Sequence, residues 1–151
     1  IQRGRELKYL FVCIGNLDGG DDGVGPYITK LLKKEDFNVI DAQTYPENYT
    51  GKIKDLNPEK LIIIDAIDMG IEPGEIRIVP KEKIGLMTIS THGLPLSVII
   101  GYLEKDIKNI KLVGIQPKAM SGELSKEIKK SAEELVLIIK TNKLNEIKKL
   151  N

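Results

Sequence analysis

The sequence predicts an α/β fold: a three-layer sandwich with a mostly parallel, twisted sheet, helices on both faces, and an edge strand that can run antiparallel. Three observations carry that prediction. Apolar runs of strand length alternate with stretches whose apolar residues recur at helical spacing. Two of the runs, Leu10 to Ile14 and Leu61 to Ile64, are apolar without interruption, as strands covered on both faces are. The connections are short, with no repeat, linker or low-complexity segment, so 1–151 reads as a single domain with loose ends at 1–7 and 141–151.

Taken in order, Lys8 to Ile14 is the first predicted strand. Val24 to Lys34 follows as a helix with Val24, Ile28, Leu31 and Leu32 on one face. Phe37 to Ala42 is a second strand, and the turn-rich stretch after Pro46 has room for a short helix around Lys52 to Leu56. Lys60 to Ala66 has the composition of a central strand. Glu75 to Val79 alternates like an edge strand beside Pro80, and 81–90 has no single pattern. Pro95 to Lys105 has helical spacing, and Asn109 to Ile115 is a strand stopped by Pro117. Ser121 opens a long last helix whose core stripe is Leu124, Ile128, Ala132, Leu135, Ile138 and Ile139.

Composition narrows the function. With 41% hydrophobic and 30% charged residues, the 151-residue chain reads as soluble and globular, and a net charge of +1 with no Trp gives no footprint for nucleic acid. No apolar stretch reaches spanning length, so neither a membrane partner nor a location other than the cytoplasm is expected. One cysteine forbids an intrachain disulfide, and one cysteine with one histidine forbids an all-protein Cys/His zinc site. Cys13, inside a predicted strand, reads as a small buried hydrophobe.

Three polar positions stand where an apolar strand gives way to a loop. Asp22 lies in the glycine-dense loop Gly15 to Gly25, Asp65 follows Leu61 to Ile64, and His92 precedes a helix. In a parallel sheet all three can meet at one carboxyl edge, where α/β sheets place ligands. Two carboxylates and an imidazole suit a borderline metal such as nickel or zinc. The same residues have plainer readings. Asp21 or Asp22 could cap the helix at Gly25, Asp68 could form a turn, and a lone histidine is often structural. The loop lacks the GxGxxG and Gly-Lys-Ser/Thr spacings of phosphate cradles, and its acids would repel phosphate. A nucleotide- or flavin-binding module and a non-catalytic nickel metallochaperone stay open beside a metal-dependent enzyme.

Four motifs narrow these choices: Gly15-Asn16 with Asp21-Asp22-Gly23-Val24-Gly25; Asp65-Ala-Ile-Asp68-Met-Gly70 with Pro73-Gly74-Glu75; Thr91-His92-Gly-Leu-Pro95-Leu96; and Gly114-Ile-Gln-Pro117. In order and spacing they resemble the hydrogenase maturation endopeptidases, and most nearly the branch serving formate-hydrogenlyase-type NiFe hydrogenases. The resemblance implies a protease that removes the C-terminal extension of the large-subunit precursor after nickel insertion. It implies that nickel arrives with the precursor as a recognition element, other divalent cations taking its place in crystals. It places the metal-contacting and catalytic residues at Asp22, Asp65 and His92, with Asp41, Gly15, Asn16 and Gly23 in support. An oxyanion could then meet backbone N–H groups of Gly19 to Gly23. Asp18 and Gly19-Gly20 add an acid and a glycine to a loop that varies in the family, which bears on partner choice.

Overall fold

A computed structural model describes residues 7–86, 88–89 and 93–151, the pair 88–89 by backbone alone. In chain order the elements are β1 (Leu7–Ile14), α1 (Val24–Lys34), β2 (Val39–Gln43), α2 (Thr50–Leu56), β3 (Pro58–Asp68), β4 (Ile76–Val79), α3 (Lys81–Ile84), β5 (Thr88–Ile89), α4 (Leu96–Leu103), β6 (Asn109–Ile115) and α5 (Lys126–Lys140). Short 3-10 turns cover Gly20–Gly23, Pro46–Tyr49 and Leu144–Glu146.

The sheet runs β2-β1-β3-β6-β4, with β5 added to the end of β3. β2, β1, β3 and β6 are parallel, and β4 closes the edge antiparallel to β6, as its alternating pattern predicts. β1 and β3 are internal, which is why their sequences stay apolar through successive residues rather than alternating. Their side chains feed two separate cores. Phe11, Cys13, Ile62, Ile64 and Val113 pack under α1 and α5, while Leu10, Val12, Ile14, Ile63 and Ile67 pack under α2, α3 and α4. These are the two helical layers of the sandwich. The chain goes from β1 outward to β2, then crosses back to β3 on the other side of β1. The carboxyl ends of β1 and β3 therefore flank the switch point where such sheets hold ligands.

Some boundaries differ from the sequence reading. β3 is longer than 60–66: pairing with β6 carries through Ala66, and β5 then pairs with Ile67 and Asp68. α5 begins at Lys126 rather than near Ser121, because Gly122 turns left-handed (φ +80°) and Ser125 is the N-cap. The unassigned 81–90 region supplies α3 and β5. The end read as loose, 141–151, instead returns along β4: Ile78 N–H donates to Lys148 O at 2.9 Å, and Leu150 N–H donates to Ile78 O at 2.8 Å. Of the other end, 1–7, only Leu7 lies within the described residues, buried at the start of β1.

Candidate functional site

The loop after β1 is folded onto itself by close backbone contacts. A Cβ at Gly15 would collide with the Asp22 carbonyl, and one at Gly25 would collide with the Ile14 carbonyl, so both positions need glycine for α1 to start against the strand end. This brings the Gly20–Gly23 turn back over β1. Asn16 N–H donates to Asp22 Oδ2 at 2.9 Å, and the Asn16 side-chain oxygen accepts from Asp18 N–H at 3.0 Å. Gly23 has helical backbone angles at the N-cap of α1, with ordinary packing distances around it.

Adjacent aspartates in this loop have separate surroundings. Asp21 is buried and accepts hydrogen bonds from Lys118 N–H, Ala119 N–H, Ser125 N–H and the Ser125 hydroxyl, at 2.7 to 2.9 Å. Burial alone would raise its carboxyl, but the bonds from Ser125, Ala119 and Lys118 outweigh it and hold the group below the usual carboxylate range. Asp21 thus ties down not the nearby α1 but the 118–125 segment that leads into the distant α5. That role leaves no sequence signal, since its partners lie 97 to 104 residues away.

Asp22 is aimed differently, towards Asp65. Asp65 is 0% exposed and pairs across the ladder with Gly114. By strand alternation it faces the α2–α4 side with Ile63 and Ile67. Neither of its oxygens has a hydrogen-bond partner among the described residues. Burial first, and the Asp22 charge second, push its carboxyl well above the ordinary range, and the Ala66 N–H, short of hydrogen-bond geometry, only partly counters them. A buried, unsatisfied carboxyl is costly to the fold, and a second acid beside it makes the pair receptive to a cation.

His92 lies outside the described residues. Of the described residues around it in the chain, Ile89 pairs by its backbone with Ile67, two residues past Asp65, and Gly93 abuts the carboxylate of Glu47 from the Pro46–Tyr49 turn. Among the described residues no three potential ligands converge to hold a metal. Two of the three expected donors, Asp22 and Asp65, are brought together. Asp41 is not with them. It shares a face with Val39, towards α1, and lines a separate cleft with Gly15, Asn16 and Pro26, its Oδ1 accepting from Gln43 N–H at 3.1 Å.

The amides expected to meet an oxyanion are largely spent. Gly19 N–H donates to Asn16 O, Asp21 N–H to Ala119 O and Asp22 N–H to Gly19 O. The same commitments remove a phosphate cradle. Cys13 is buried, and its thiol is pushed up to about 12 by that burial, so it behaves as an apolar side chain. Asp68 forms the expected turn, accepting from Gly70 N–H at 3.1 Å. Gln116, quoted in a motif without a role, holds that turn in place: its Oε1 accepts from Met69 N–H at 2.6 Å and its Nε2 donates to Asp68 at 3.2 Å.

Comparison with known proteins agrees with this architecture. The family model described as HycI, hydrogenase maturation protease, matches residues 26–142. The chain is 41% identical over 112 residues to the hydrogenase 3 maturation protease of Escherichia coli K12, covering 72% of each chain. It is 38% identical over 142 residues to a putative hydrogenase maturation protease of Methanocaldococcus jannaschii, covering 85% of this chain and 84% of that one. The crystal structure of a hydrogenase 3 maturation protease superposes with a TM-score of 0.89 at 32% identity, over 96% of this chain and 97% of the other.

Proposed function

The chain belongs to the hydrogenase maturation proteases and is a peptidase; from that premise we propose that it removes the C-terminal extension of a NiFe-hydrogenase large-subunit precursor in the cytoplasm, once nickel has been inserted. The observation that carries this reading is Asp65, a fully buried carboxyl with no described partner, beside the second acid Asp22. Such a carboxyl is destabilising in the free protein and is relieved when a cation reaches it. A nickel ion already held by the precursor is that cation, and Asp22, Asp65 and His92 complete its surroundings.

Specificity follows from the same arrangement. A precursor without nickel brings no cation, leaves the buried Asp65 carboxyl unrelieved and loses one anchor. In the loaded complex a carboxylate oxygen of the pair that is turned away from the nickel takes a proton from the attacking water. Hydrolysis adds that water across one peptide bond, the carbonyl carbon gaining the oxygen and the leaving amine the proton. The test is cleavage of nickel-loaded and nickel-free precursor by the purified protein. Shortening of the loaded form alone supports the proposal. Equal cleavage of both removes nickel as the recognition element, and cleavage of neither removes the activity.

A further inference from the structure

The face carrying α4, towards which Asp65 is also turned, holds an apolar cleft of about 280 Å³ lined by Leu94, Val98, Ile99, Tyr102, Thr50 and Glu47. Leu94, Val98 and Tyr102 recur every four residues, forming one exposed stripe, 51%, 51% and 46% open to solvent. Large apolar side chains left open in a row beside a candidate site mark a contact surface.

Glu47 gives the cleft its polarity. Its Oε1 is buried and takes no hydrogen bond among the described residues. Its carboxylate presses on Gly93, where any side chain would displace it, so the acid is held between the cleft and the segment that follows His92. Among the described residues no lysine or arginine pairs with it. Lys54 lies at the rim of the cleft, 3.6 Å from the centre of the Tyr102 ring, but its ion pair is with Asp106 at 3.0 Å and not with Glu47. An acid in an apolar cleft that is paired with no lysine or arginine among the described residues is complementary to a cation delivered from outside.

We propose that this cleft receives a segment of the precursor in which a lysine or arginine is flanked by apolar side chains, the cation pairing with Glu47 and the apolar neighbours lying on Leu94, Val98 and Tyr102. The assignment rests on the processing function proposed above, and it adds a specificity-determining residue outside the Asp22, Asp65 and His92 set. Gly93, which touches Glu47, is the residue that follows His92 in the chain.

The test compares wild type with Glu47→Gln on two nickel-loaded precursors, one native and one with the lysines and arginines flanking the cleaved bond changed to Gln. Binding of a fluorescent peptide spanning the junction is measured in parallel. Glu47→Gln should raise KM and peptide Kd for the native sequence about tenfold, the scale of one charge-assisted hydrogen bond, with kcat unchanged. It should have no effect on the neutral sequence. Val98→Ser should weaken both sequences alike, and Glu47→Lys should regain cleavage when the precursor's basic residues are made acidic. An equal loss on both precursors with a fall in kcat would assign Glu47 to the neighbouring histidine segment instead, overturning the proposal. So would indifference to the substitution, or a dimer that Val98→Ser dissolves. Peptide binding that depends on Glu47 without cleavage of any precursor defeats the processing function alone; cleavage indifferent to Glu47 defeats the cleft alone.

Discussion

Replacing Asp65 with asparagine separates the fold's interest from the site's. In the folded chain this carboxyl is shut off from water and lacks a described partner, and burial, then the Asp22 charge, raise its pKa. In the unfolded chain it titrates near an ordinary value, about 3.9. Between these two values the native state holds one proton that the unfolded state has released. Stability linked to this group is therefore complete below the unfolded pKa and falls as pH rises, by about 1.4 kcal/mol per pH unit at full slope, until the folded pKa is passed. Asp65→Asn cannot ionise. The unfolding free energy of the variant minus that of wild type should accordingly climb with pH at that slope, and the subtraction cancels the titrating groups that do not interact with Asp65. Urea denaturation from about pH 4.5 to 8 measures it. Asp22→Asn should end the climb at lower pH, because it removes the second cause of the shift. A variant-minus-wild-type difference that stays level across the range would refute the burial argument. Precursor cleavage by Asp65→Asn should meanwhile fall at least about a hundredfold.

Four further outcomes are expected. Asp21→Ala removes the buried acceptor of four part-buried hydrogen bonds and should cost about 2–4 kcal/mol in denaturant melts, whereas Asp22→Asn should stay within about 1 kcal/mol of wild type. Asp22→Ala and His92→Ala should stop cleavage of the loaded precursor in a gel assay while circular dichroism stays native; normal processing by either would remove that residue from the site. Gly25→Ala drives a methyl group into the Ile14 carbonyl and should leave little folded protein, seen as loss of the cooperative thermal transition. Cys13 should resist iodoacetamide in native protein and react fully in urea, since both its burial and its raised pKa oppose thiolate formation.

The class of fold was legible because internal parallel strands leave an unmistakable mark. Leu61 to Ile64 cannot belong to a surface strand, and the alternation of Glu75 to Val79 correctly placed that segment at an antiparallel edge. α1 was readable to its ends because a glycine-proline start and a clean apolar face coincide there. The start of α5 was not, since Ser121 and Ser125 are equally good caps locally and the choice is made by Asp21, far away in sequence. The meeting of Asp22 with Asp65 followed from strand ends sharing one edge. The distinct duty of Asp21, the facing of Asp41 towards α1, and the orphaned Glu47 did not follow, because each depends on which layer packs where, and periodicity carries no information about partners a hundred residues apart.

The grip on Asp21 has a developmental consequence. Asp22 is one peptide bond from an anchor whose donors belong to residues 118 to 125, so its aim is referenced to a stretch of chain made about a hundred residues later. A nascent chain that has already assembled its first strands still lacks the clasp that sets the acid's direction. Cutting competence should then arrive only with the closing helix, which spares half-made copies from acting on any polypeptide nearby.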